Sequence, residues 1–205
     1  MNPKLPKCFT FGLIGNIFFI IFSLVCLYYY DFFGSKGVII YTIEAIAYAN
    51  EALGFIFMIL TVILLSRTVR QRHLMKISFS AYIIMELLLM IMELNSYRIS
   101  FYAPYSIGLA IAHSVISAVV CFTFLSLDPK RTALEIVIVI TAGIILFGMF
   151  GMVFHLRIYF SILMNAFAYI FMFSALKYLL SQQKIEIDCY GDKARVNQYK
   201  STFFD

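Results

Sequence analysis

Six long apolar runs, at residues 10–33, 38–65, 74–94, 104–127, 133–154 and 158–180, alternate with short polar connections along the chain. Each run is near or above the ~20 residues that an α-helix needs to cross roughly 30 Å of hydrocarbon. None shows the alternation over about ten residues that marks a membrane-spanning β-strand. Lipid offers no partner for open backbone groups, so the α-helix is the only spanning structure left to these runs. The predicted fold is an all-α integral membrane protein, with a six-helix transmembrane bundle over 1–181 and a short cytoplasmic tail over 182–205. Short connections make consecutive helices antiparallel neighbours, which gives three hairpins in series. The tail is too short to bury a core of its own, and Lys184 to Ile187 reads as a short strand for a partner.

Composition agrees with this class: 62% of the 205 residues are hydrophobic and 13% are charged, against about one quarter charged in a soluble domain. The few charges are unevenly placed. Lys4, Lys7, Arg67, Arg70, Arg72, Lys76, Lys130, Arg131, Lys177, Lys184, Lys193, Arg195 and Lys200 fall on one side of the predicted topology. Only Lys36, Arg98 and Arg157 fall on the other, so the excess of basic residues puts both termini in the cytoplasm of a plasma-membrane protein. The net charge of +5 is thereby explained by topology and anionic lipid, with no nucleic-acid partner expected. Two lysines before the first run resemble the start of a signal peptide, but the apolar stretch is too long for one and reads as a retained helix.

Polar residues inside the runs are few, and they carry the candidate chemistry. Glu44 and Glu51 lie seven residues apart in the second run, and Glu86 and Glu93 repeat that spacing in the third. Seven residues make nearly two helical turns, so each pair shares a face, about 10 Å apart along the axis. Counting rise per residue from the ends of antiparallel helices puts Glu51 and Glu86 near mid-bilayer and Glu44 and Glu93 in the outer third. The same count brings His113, from the fourth run, to the depth of Glu51 and Glu86, with Asn50 and Asn165 close by. No Lys or Arg reaches that depth.

A charged residue at the bilayer centre costs about 2.5–3.5 kcal/mol on insertion scales, and such residues tend to mark ion paths, proton relays or buried pairs. Two close carboxyls cannot both ionise cheaply, so they share a proton or a cation. The pattern predicts a central proton or cation site of Glu51, Glu86 and His113, with Glu44 and Glu93 as entry acids and Asn50 and Asn165 as neutral ligands. The plainer alternative is that these side chains are protonated and hydrogen-bonded across helices as packing glue. A divalent metal on Glu51, Glu86 and His113 is a third reading, since carboxylate and imidazole sets bind such ions.

The function expected from these residues is a transporter or channel for a cation, a proton-coupled solute or a small organic amine. Tyrosines at Tyr28, Tyr29, Tyr30, Tyr41, Tyr97, Tyr102, Tyr105 and Tyr159 read as an interfacial aromatic belt, or as a cage for an organic cation. The alternative class is a membrane-embedded sensor, accessory or immunity subunit that binds a partner within the bilayer. A homodimer is also expected, because a bundle of this size needs company to enclose a pathway. No HExxH, GxSxG or Walker motif is present, so no enzyme activity and no cofactor are expected. Glycines Gly12, Gly15, Gly54, Gly143, Gly148 and Gly151 read as close-packing positions between helices.

Overall fold

The six apolar runs form six α-helices in a computed structural model, which describes residues 4–32, 38–70, 73–96, 103–127, 132–153, 158–185, 187 and 189. They are α1 (Leu5–Phe32), α2 (Val38–Thr68), α3 (His73–Ser96), α4 (Ala103–Thr123), α5 (Thr132–Val153) and α6 (Ile158–Ser181). A 3₁₀ turn, Phe124–Leu127, ends α4. Four of the helices carry stretches long and apolar enough to cross a membrane: Leu5–Tyr28, Ala45–Thr68, Ala133–Gly151 and Tyr159–Ser181. Among the described residues of α4 the apolar stretch is Ile111–Thr123, and α3 carries Lys76, Glu86 and Glu93 along its length.

Polarity is reversed relative to a soluble bundle. Ile136, Val139, Ile140, Phe147 and Phe150 form an exposed stripe along α5, and Ile77, Ile84, Leu87, Leu88 and Ile91 form another along α3. Asn16, Ser23, Glu51, Thr61, His113, Ser114, Ser117, Thr141, Ser161 and Asn165 are buried. Exposed apolar surface on this scale suits hydrocarbon rather than water.

Neighbour relations run α2, α1, α6, α5, α4, α3, with α4 also touching α6 and α2 touching α3 only slightly. The α1–α2 packing follows from small residues. A Cβ added to Gly15 would lie 3.0 Å from the Gly54 carbonyl oxygen, and one added to Gly54 would lie 3.1 Å from that of Gly15. Only glycine at both positions lets the two backbones approach this closely. Around that crossing α2 presents one continuous buried face, Ala47, Glu51, Gly54, Met58, Thr61, Leu65 and Thr68. Asn16 of α1 donates to Met58 Sδ at 3.2 Å, which places this face against α1. Gly148 plays the same part between α5 and α6, where an added Cβ would lie 2.6 Å from Met164 Cβ. Gly143 does not: nothing lies within 4 Å of its Cβ position.

At one end of the bundle the chain just after α6, as far as Cys189, turns back onto it. Gln183 has φ 54° and ends α6, while Lys184 N donates to Leu179 O at 3.0 Å and Gln183 N to Leu180 O at 3.2 Å. This is the paired bonding of a Schellman cap, with glutamine where glycine is usual. Beyond it Ile185, Ile187 and Cys189 are buried in the main core beside Leu5, Leu65, Val69, Met75 and Leu180. Cys189 also bridges the backbone of Val69 in antiparallel sense. The stretch expected as a strand for a partner is therefore used by the chain itself.

Candidate functional site

Glu86, His113 and Asn165 meet between α3, α4 and α6. His113 Nε2 lies 2.8 Å from Glu86 Oε1, and His113 Nδ1 lies 3.2 Å from Asn165 Nδ2. Helical spacing extends this trio into a longer polar string. Asn165 Nδ2 is also 3.4 Å from Ser114 Oγ, and Ser114 Oγ is 3.1 Å from Ser161 Oγ on α6. His113 and Ser114 point together into the α4 seam, and Ser161 and Asn165 share the facing side of α6 because they are one turn apart.

Aromatic packing fixes the imidazole. The Tyr82 ring lies 5.3 Å from the His113 ring and 5.7 Å, edge-on, from Tyr169. Tyr82 stands one turn before Glu86 on α3, and its hydroxyl interacts with the Glu86 carboxyl. Tyr169 donates to the Ser117 carbonyl at 3.2 Å. The His113 side chain is 4% exposed and that of Glu86 13%, so the pair is largely sealed in protein.

The geometry admits two proton arrangements. With the Asn165 amide nitrogen donating to Nδ1, the ring proton sits on Nε2 and is donated to a Glu86 carboxylate. If the amide is turned over, Oδ1 accepts from Nδ1–H instead, and Nε2 either carries the second proton of an imidazolium or accepts from a protonated Glu86 carboxyl. One side-chain rotation therefore accommodates either charge state of the histidine.

The remaining sequence candidates are placed elsewhere. Glu51 is buried, 7% exposed, on the face of α2 that also carries Gly54 and Met58 and packs on α1. No hydrogen bond or ion pair joins it to Glu86 among the described contacts, and Glu86 instead engages His113 and Tyr82. The glycine crossing turns this face of α2, and Glu51 with it, toward α1. Asn50 donates to its own helix at Ile46 O, 2.7 Å away, and takes no part in the cluster. Glu44 and Glu93 lie on α2 and α3, with side chains outside the described residues. Of the tyrosines singled out, Tyr28 is 58% exposed and Tyr159 packs edge-on to Phe22 at 5.9 Å. No group of three or more His, Cys, Asp and Glu able to hold a metal occurs among the described residues, so the three-residue metal set is not assembled there.

Sequence reasoning passed over Ser114, Ser117, Ser161, Tyr82 and Tyr169. The signal was present: Ser114, Ser117 and Cys121 follow at helical spacing behind His113, and Ser161, Asn165 and Tyr169 do so on α6. Comparison with protein families, curated proteins and solved structures finds no match to this chain.

Proposed function

We propose that this chain is a six-pass plasma-membrane protein that moves protons, or a cation or solute coupled to them, with Glu86 and His113 as the proton-carrying pair. The observation that carries this reading is the carboxyl–imidazole contact of 2.8 Å within the bundle, backed by Asn165 on the second ring nitrogen. A buried carboxyl and imidazole at this distance share at least one proton, and moving it changes the local charge where the dielectric is low. Asn165 holds the ring in place in both charge states. Glu44 and Glu93, on α2 and α3, have supporting roles here as entry acids, while Glu51 stands apart on the α1-facing side of α2.

The proposed topology has both termini cytoplasmic and three antiparallel hairpins. It is supported by the exposed basic residues Lys4, Lys7, Arg67, Arg70, Lys76, Lys177 and Lys184, which lie near the ends of α1, α2, α3 and α6. Thr10 of α1 accepts from Lys177 of α6 at 3.1 Å, which brings two of those ends together.

Purified protein reconstituted into liposomes loaded with a pH-sensitive dye provides the test. An imposed potassium diffusion potential should drive proton movement well above that of empty liposomes. Glu86→Gln, which keeps the shape and loses the charge, should reduce it tenfold or more. A wild-type signal equal to empty liposomes, or a variant as active as wild type, would remove the reading.

A further inference from the structure

The polar string does not stop at Asn165. Two buried oxygens on the α4–α6 seam, Asn165 Oδ1 and Ser117 Oγ, lack a hydrogen-bond partner within the protein. Asn165 is 4% exposed and Ser117 fully buried. Their surroundings place them close to one another. Asn165 touches Ser114 through Nδ2, and Ser117 follows Ser114 by one turn on the same face of α4. Tyr169, one turn after Asn165 on α6, reaches the Ser117 carbonyl. Both oxygens therefore belong to the same stretch of the α4–α6 seam, next to the Asn165–Ser114 contact. A single water molecule with two hydrogen-bonding groups directed at them offers each a partner at about 2.8 Å.

We propose that the α4–α6 seam beside His113 is a hydration site, in which one ordered water donates to Asn165 Oδ1 and bridges it to Ser117 Oγ. Leaving two buried polar oxygens unpaired costs about 1–3 kcal/mol each, and buried waters typically satisfy such groups. The water extends the string from Glu86 and His113 toward Tyr169 and the C-terminal ends of α4 and α6. It also stabilises the amide orientation in which Asn165 nitrogen faces the ring, because Oδ1 then has a donor of its own. In transport terms, which rest on the function proposed above, it holds the Asn165 amide, and through it the imidazole, in place beside Glu86, while the amide itself passes no proton.

The site can be tested without any transport assay. Protein labelled with ¹⁵N at asparagine is placed in bilayers, and polarisation transfer from water protons is followed by solid-state NMR. The Asn165 side-chain signal is assigned by its loss in Asn165→Leu. It should receive water polarisation at short mixing times, and Ser117→Val, which fills the space and removes the hydroxyl, should cut the transfer at least twofold. The His113 ring nitrogen shifts, from a ¹⁵N-histidine sample, should stay unchanged in Ser117→Val and so report an intact cluster. Absence of transfer in the wild type, or equal transfer in Ser117→Val with the cluster intact, overturns the proposal. If Ser117→Val disturbs the cluster, Ser117→Ala serves instead under the same criterion. Proton flux separates the two claims. A transport defect in Glu86→Gln without one in Ser117→Val retains the transport reading and removes the water's part in positioning the pair. No defect in Glu86→Gln removes transport while the NMR result stands by itself.

Discussion

His113 is held by three different kinds of neighbour: a carboxyl, an amide and an aromatic face. Removing one partner of a buried, hydrogen-bonded charge pair commonly costs about 3–5 kcal/mol, lessened where the survivor can change its protonation. His113→Ala should therefore lower stability by about 2–3 kcal/mol, read as an earlier thermal transition in detergent, whereas Asn50→Ala should leave it nearly unchanged. Asn50 bonds only to its own helix near the surface of the bundle. Gln183 presents the opposite case, since its φ of 54° is a region that glycine occupies without penalty. Gln183→Gly should raise stability by about 0.5–1 kcal/mol in the same melting experiment, provided the cap bonds at Leu179 and Leu180 persist.

At the level of helices, much was legible because the apolar runs have sharp ends. The span expected at 38–65 is Val38–Thr68, and that expected at 158–180 is Ile158–Ser181. Depth counting was also informative: rise per residue is a fixed property of the helix, and Glu86, His113 and Asn165 do meet. What the counting lacked was azimuth. Glu51 shares a helix face with Gly54 and Met58, and a partner for that face cannot be inferred from α2 alone. It required the matching glycine in α1, and Gly15 with Gly54 was read only as generic close packing. Glycine replacement separates the cases. Gly54→Val should cost about 1–3 kcal/mol, because its side chain would have to push aside the Gly15 backbone. Gly143→Ala, with nothing within 4 Å, should be neutral or stabilising by up to about 1 kcal/mol. Parallel thermal melts of the two variants check the contrast.

For the whole molecule, the described start of the tail, as far as Cys189, proves to be part of the bundle. Its polar composition concealed an alternation, Ile185, Ile187, Cys189, that lays every second side chain into the core. Lys184 to Ile187 reads as a short strand from the sequence, but the partner edge at Val69 lies about 120 residues before Cys189 and has no strand signature of its own. Ile187→Asp should release this segment. Cys189, buried in the wild type, should then react with a membrane-impermeant maleimide at least tenfold faster, an increase readable by mass shift. An unchanged rate would mean that the segment is held by contacts other than the Ile187 side chain.

The neighbour order has one more consequence, for assembly. α1 packs against both α2 and α6, and the Gly12 notch on α1 receives the ring of Phe173, with an added Cβ at Gly12 falling 2.6 Å from that ring. During synthesis α1 and α2 can pair as soon as both have left the insertion machinery. The notch stays unfilled until α6 emerges. Two helices far apart in the chain are thus stitched together late, and a ribosome that stops before α6 leaves a nascent protein with an open flank that quality-control proteases can recognise.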